Sequence, residues 1–255
     1  MQTDAGSGID IPVRYYPIFL DIKRKPCVVI GGGNVAERKV LSLLDAGAKV
    51  LVISPKLTSA LKRLAGKKTI GYRNKSYEQG DLKGFFLAYS ATNDPAANES
   101  VFHEAKKRGI LLNVVDVPEL CNFIVPSVVD RGDLLIAIST SGRSPAMAKK
   151  IRQQLEKEFG WEYAAFLEIM GKVRDKILTL DKSSDALSGT KQSRCFDETK
   201  HTICQGLTKS NKFDKNKKIF ESIVNSPMLE WIRHGKKKEI DKFIKEALEK
   251  AGSGL

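Results

Sequence analysis

Six residues, Gly31-Gly32-Gly33-Asn34-Val35-Ala36, carry the first chemical signal in this sequence. They satisfy G-x-G-x-x-A between an apolar run, Cys27-Val28-Val29-Ile30, and a stretch of helical period from Val35 to Ala46. Gly31 permits a tight turn, and Gly33 lets the backbone approach a pyrophosphate at the helix N-terminus. Ala36 allows the helix to pack close to the strand. In that context Gly31, Gly33, Asn34 and Val35 point to a bound dinucleotide; a plain strand-to-helix turn is the alternative.

Two further groups belong to the same chemistry. The second apolar run, Val50 to Ile53, is followed by Ser54-Pro55-Lys56 and no acid. An adenosine ribose must then be met by Ser54 or by backbone, and Lys56 tolerates a 2′-phosphate, which leaves NAD and NADP both open. Ser90-Ala91-Thr92-Asn93-Asp94 follows a later strand, placing Thr92 and Asn93 to touch ribose or nicotinamide; capping of the next helix by Asn93 or Asp94 is the alternative. Asn113-Val114-Val115-Asp116 puts a carboxylate at the end of another strand. There it could accept a proton, hold a metal ion or simply cap a turn.

These positions need a scaffold that gathers strand ends. Apolar runs near 27–30, 50–53, 69–72, 85–89 and 111–115 alternate with helical stretches at 35–46, 57–64 and 95–108. That alternation predicts crossover connections, a parallel sheet and a doubly wound α/β unit over residues 12–116. Phe123 to Val129 and Leu134 to Ser139 read as β-runs joined by the turn Asp130-Arg131-Gly132-Asp133, within a segment 117–150. Ser144-Pro145 opens a helix to about Phe159. Residues 151–255 read as helical, with short helices at 213–224, 227–233 and 237–248. Thr179 to Asn211 is expected to be a long loop or partly disordered. The whole is an α/β chain: a Rossmann-like sheet, a β-rich segment and a C-terminal helical domain.

Composition bounds the rest. Among 255 residues, 42% are hydrophobic, which suffices for a core and excludes a disordered polycation. The formal charge of +13 divides as +8 over residues 1–160 and +5 over 161–255, so it is not a basic tail. No apolar run approaches the roughly 18 residues that span a bilayer. Met1 to Asp10 has no signal-peptide progression. Four cysteines suit a reducing cytoplasm. Cys195, His201 and Cys204 form a C-x5-H-x2-C cluster that lacks a fourth ligand at a familiar spacing, so no metal site is expected. Cys27 reads as core, Cys121 as packing or cleft lining, and His103 and His234 as surface.

Several motifs in continuous order make a more specific pattern. They are Tyr16-Pro17-Ile18-Phe19-Leu20, Gly31 to Lys39, Asn113 to Asp116, Asn122-Phe123-Ile124-Val125-Pro126-Ser127 and Ser139-Thr140-Ser141-Gly142-Arg143-Ser144-Pro145. Over about residues 12–160 the chain resembles the precorrin-2 dehydrogenase family, some of whose members are also sirohydrochlorin ferrochelatases; the same module fronts fused sirohaem synthases. Ser226 to Glu230 and Gly235-Lys236 extend the likeness more weakly. Val117 and Thr140 depart from it, since the family often has a small or acidic residue and a Ser there.

The resemblance implies that NAD takes a hydride from precorrin-2 to give sirohydrochlorin, with Fe²⁺ inserted afterwards in bifunctional members. It gives the cofactor role to Gly31, Gly33, Asn34, Val35, Pro55 and Lys56. Asp116 matches the family's essential Asp, a proton acceptor. Ser139, Thr140 and Ser141 match a hydroxyl-rich turn near the tetrapyrrole, with Asn113 as a further substrate contact. An octacarboxylate substrate also calls for cations, and Arg131, Arg143, Lys149 and Lys150 are the candidates. A homodimer built on the segment near 117–143 is implied, with no nucleic-acid or membrane partner. The competing readings are a non-catalytic NAD-sensing Rossmann module and, third, a nucleic-acid binder.

Overall fold

Apolar alternation along the strands sets the layers. In β1 (Pro26–Ile30), Cys27 and Val29 face one side while Val28 and Ile30 face the other, all at 3% exposure or less. Helices cover both faces. Ala36, Val40 and Leu43 of α1 (Asn34–Asp45) and Leu61 of α2 (Ser59–Gly66) pack with Val29. Val101 and Ala105 of α3 (Pro95–Arg108) pack with Val28 and Ile30. A sheet buried on both sides needs such a double layer.

The other strands are β2 (Lys49–Ile53), β3 (Gly71–Arg73), β4 (Leu87–Ser90) and β5 (Leu111–Val114). All pair in parallel, in the order β3-β2-β1-β4-β5. The order reverses between β1 and β4, so the loops after these two strands splay apart at the carboxyl edge and leave a crevice for ligands. This is the computed structural model of the chain, and it describes residues 14–187 and 216–252. The chain divides into two compact units after Val125.

The boundary follows from how β5 is covered. The Asn122 side chain accepts from Leu112 N–H at 2.8 Å and donates to the Ile110 carbonyl at 2.9 Å. Asn122 N–H donates to the Leu112 carbonyl at 3.0 Å. One residue thus pairs with the open edge of β5 as a further strand would, which protects it.

In the second unit β6 (Ser127–Arg131) and β7 (Leu134–Ile138) form an antiparallel hairpin. The expected four-residue turn is corrected to two residues, Gly132 and Asp133, because Arg131 pairs directly with Leu134. Gly132 takes φ +71° and its N–H donates to Asp130 Oδ1 at 2.9 Å, which closes the turn. The β-run expected from Phe123 starts only at Ser127, after Pro126.

Helices follow: α4 (Pro145–Glu158), α5 (Glu162–Leu187), α6 (216–224), α7 (Met228–Arg233) and α8 (Lys237–Gly252). Phe166, Val173, Ile177, Ile219, Ile223, Met228 and Ile232 form their core. The loop expected from Thr179 is corrected as far as Leu187, where α5 ends. A helix already held by packing propagates at one bond per residue, and no Gly or Pro interrupts it between Gly171 and Gly189. The rest of that stretch, with Cys195, His201 and Cys204, lies outside the described residues, as does Met1 to Asp10.

Candidate functional site

Each glycine of the turn after β1 has its own reason. Gly31 has φ +108°, and a Cβ there would lie 2.3 Å from the Ala91 carbonyl oxygen. At Gly32 a Cβ would lie 2.1 Å from the Lys56 carbonyl oxygen. Gly33 faces open space, with nothing within 4 Å. The loops after β2 and β4 therefore press on the first two glycines and leave the third to a ligand.

The N-terminus of α1 fits that ligand. Side chains cap α2, α3 and α4, through Thr58, Asp94 and Ser144, whereas Gly33 offers α1 no cap. The first N–H groups of α1, with their partial positive charge, are left for an anion. A cleft of about 760 Å³ runs past Gly31, Gly33, Asn34, Val35, Ser54, Pro55, Lys56, Thr92 and Asn93. All the residues expected to meet a dinucleotide are thus together.

Their local chemistry refines the expectations. The Ser54 hydroxyl donates to the Lys56 carbonyl at 2.7 Å, and the residue is 6% exposed. The group expected to meet the ribose is already committed to its own loop, so backbone and Lys56 remain for that contact. Thr58 N–H donates to the Gly32 carbonyl at 3.0 Å, and its hydroxyl donates to Glu37 Oε2 at 2.5 Å. Asp94 caps α3, accepting from Ala96 and Ala97 N–H, while Thr92 Oγ1 accepts from Asp94 N–H.

Asp116, two residues past β5, is exposed and has φ +60°. A left-handed aspartate is uncommon, and such strain gathers at functional positions. Asn113, expected at the substrate, donates its amide to the Phe123 carbonyl at 3.1 Å and so pins the segment beside Asp116. Cys121 Sγ accepts from Val114 N–H at 3.1 Å, and burial pushes its thiol up, as burial pushes that of Cys27 up to about 11. Neither thiol is a nucleophile at neutral pH.

Sequence reasoning missed two groups here. Lys39 of α1 is half-buried, with its ammonium 5.1 Å from the centre of the Tyr89 ring. Burial, with Arg38 beside it, lowers its pKa, while Asp116 and Cys121 pull the other way. Its one sequence signal is a Lys directly preceding Val40 on the apolar face of α1.

The second is Glu104, 4% exposed, which accepts from Tyr77 hydroxyl at 2.6 Å, Gly80 N–H at 2.8 Å and Arg108 at 2.6 Å. It anchors the loop whose Ser76 and Tyr77 line the cleft. Burial acts to raise its pKa, but Tyr77, Gly80 N–H and Arg108 together outweigh it and hold the carboxyl below its ordinary 4.5. A depressed carboxylate stabilises the fold above its unfolded pKa, and that contribution fades as pH falls through the folded one. Glu104→Gln should therefore cost about 2 kcal/mol at pH 7, with the difference from wild type shrinking in acid. Urea denaturation across pH 3–7, repeated for both proteins, measures this.

In the second unit, Arg143 N–H donates to the Thr140 carbonyl, with Ser141 at φ +52° and Gly142 at φ +80° between them. Ser139 Oγ accepts from Ser141 N–H and Thr140 Oγ1 from Ser144 N–H. Ser139, Ser141 and Arg143 are exposed, Thr140 half-buried. Arg131 is corrected as a free cation: it donates to the Phe159, Glu156 and Asp130 carbonyls and so closes the C-terminus of α4. Lys149 and Lys150 stay exposed.

Two family models cover these elements. Residues 18–127 match one described as putative NAD(P)-binding, and residues 131–158 match the sirohaem biosynthesis protein central region. The siroheme synthase of Vesicomyosocius okutanii is 42% identical over 165 residues, 65% of this chain and 35% of that protein. That of Nitrosococcus oceani is 41% identical over the same shares. Over 165 residues, 65% of its length, the chain is thus similar to part of these siroheme synthases. The chain spans about a third of the length of these relatives. The fold also agrees with a solved structure, SirC, a precorrin-2 dehydrogenase, at TM-score 0.67 and 24% identity. That alignment covers 91% of this chain and all of the other. The motif Tyr16 to Leu20 leaves Tyr16, Ile18 and Phe19 exposed.

Proposed function

We propose that this protein is an NAD-dependent dehydrogenase that converts precorrin-2 to sirohydrochlorin. One observation carries the reading: a strained, exposed carboxylate, Asp116, stands at the same sheet edge as an uncapped helix N-terminus under an open glycine. NAD, when bound, supplies the hydride acceptor. The chain's own residues do the rest. The α1 N-terminus and Gly33 hold the pyrophosphate, Lys56 and the backbone after β2 meet the ribose, and Thr92 and Asn93 border the nicotinamide side. Asp116 takes the proton released with the hydride. Ser139, Thr140, Ser141 and Arg143 contact the tetrapyrrole.

Fe²⁺ insertion is a second activity of the same kind of protein, with the macrocycle's four nitrogens as the principal ligands. Among the described residues no group of three or more His, Cys, Asp or Glu is placed to hold a metal. A homodimer through the hairpin is part of the reading: Val128 and Leu135 are large apolar residues left exposed there, at 38% and 42%. The free thiols of Cys27 and Cys121 agree with a cytoplasmic setting. Among the described residues no helix is long and apolar enough to cross a membrane.

Anaerobic incubation of the full chain with precorrin-2 and NAD, followed by Fe²⁺, tests the proposal. NADH should appear with the sirohydrochlorin spectrum, and a sirohaem band after iron marks the second activity. NAD binding without NADH formation would favour a sensing module instead. Sedimentation should give twice 28.2 kDa.

A further inference from the structure

Among the described residues Lys39 has no carboxylate within ion-pairing distance, whereas Arg73, Lys75, Arg108, Arg152 and Arg233 each have one. Its ammonium contacts only the face of Tyr89, which satisfies the charge but none of its three N–H donors. Half-burying such a group is costly unless something accepts those donors.

Its position names the acceptor. Lys39 is five residues into α1, about 7.5 Å along the axis from the pyrophosphate end. Tyr89 is the penultimate residue of β4 and pairs with Asn113, three residues before Asp116. The charge therefore stands beside the end of β4, below the dinucleotide phosphates and near enough to Asp116 for that carboxylate to bear on it. Asp116 is the charged group that bears on it from the β5 side, and Arg38 from its own helix.

We propose that Lys39 is a substrate-binding residue: its ammonium, held over the Tyr89 ring, seats one carboxylate of an anionic macrocycle beside Asp116. This rests on the tetrapyrrole reading above and adds a contact that orients the substrate for proton transfer. It also accounts for the conflict in the fold, where a lysine lies beside the apolar face of α1 with an aromatic ring but, among the described residues, no paired carboxylate. An isosteric Met would pack there with less desolvation.

The test uses full-length Lys39→Met and Lys39→Arg. Binding of an octacarboxylate porphyrin, uroporphyrin III, is read by fluorescence, alongside KM and kcat for precorrin-2, NAD affinity and Tm. Lys39→Met should weaken porphyrin binding and raise KM by about tenfold, with the loss falling on KM. NAD affinity should stay within twofold, and Tm should be equal to or above wild type. Lys39→Arg should recover most of the binding. Wild-type porphyrin affinity and KM in Lys39→Met would overturn the seat, as would a loss in both variants accompanied by a falling Tm. If the wild-type chain binds the porphyrin through Lys39 but never reduces NAD, the seat stands and the dehydrogenase reading fails. If it reduces NAD and Lys39→Met matches it in KM and porphyrin affinity, the reading stands and the seat fails.

Discussion

Asp116→Asn should lower kcat/KM for precorrin-2 by a factor on the order of 10²–10⁴, the range a positioned acid or base contributes. Asn keeps the size of the side chain and is, after Gly, the residue that best tolerates φ near +60°, so the turn after β5 should persist. NAD affinity should stay within twofold, because the cleft proposed for the dinucleotide is lined by the loops after β1, β2 and β4 and not by Asp116. Asp116→Ala adds a backbone cost of about 1–2 kcal/mol and would mix a stability effect into the kinetics. Asp116→Gly removes the carboxylate while relaxing the backbone. A shared kinetic loss in Asn and Gly variants, at unchanged Tm, isolates the carboxylate. Full turnover by Asp116→Asn would remove Asp116 from the chemistry and leave its strained turn as architecture.

The parallel sheet and the dinucleotide turn were legible because each strand's alternation and each helix's period are local properties. Pro95 at the first turn places the start of α3 from sequence alone, and of the two capping candidates, Asn93 and Asp94, it is Asp94 that caps. What escaped depends on partners distant in sequence. Ser54 reads from sequence as a ribose contact, and nothing local shows that its hydroxyl also donates to the Lys56 carbonyl. Asn113, expected at the substrate, also bonds the Phe123 carbonyl, and Asn122, part of a motif only, proves to cover the edge of β5 through Leu112 and Ile110. Arg131 reads as a substrate cation, but the carbonyls it serves lie 25 and 28 residues away. Lys39 shows the converse: nothing local separates it from a solvated lysine, and only Tyr89 on another strand does. Asp116 was visible through its place after a strand, while its left-handed backbone was not.

The three glycines after β1 should separate folding from binding when each is changed to Ala. Gly32→Ala places a methyl 2.1 Å from the Lys56 carbonyl oxygen, a backbone atom that the Ser54 hydroxyl holds in place. Gly31→Ala meets the Ala91 carbonyl at 2.3 Å and also needs φ +108°. Overpacking against backbone should cost each variant about 2–4 kcal/mol, a large share of a domain's 5–15 kcal/mol. Gly33→Ala differs in kind: φ is −84° and nothing lies within 4 Å, so stability should change by less than about 0.5 kcal/mol. Its methyl instead occupies the space a pyrophosphate needs, and NAD affinity should fall on the order of 100-fold. Urea denaturation and NAD calorimetry on the three variants measure both quantities. A Gly33→Ala chain that binds NAD like wild type would mean the pyrophosphate lies elsewhere. The N–H donors at the head of α1 would then need another anion, and Thr92 and Asn93 would no longer be placed to border a nicotinamide.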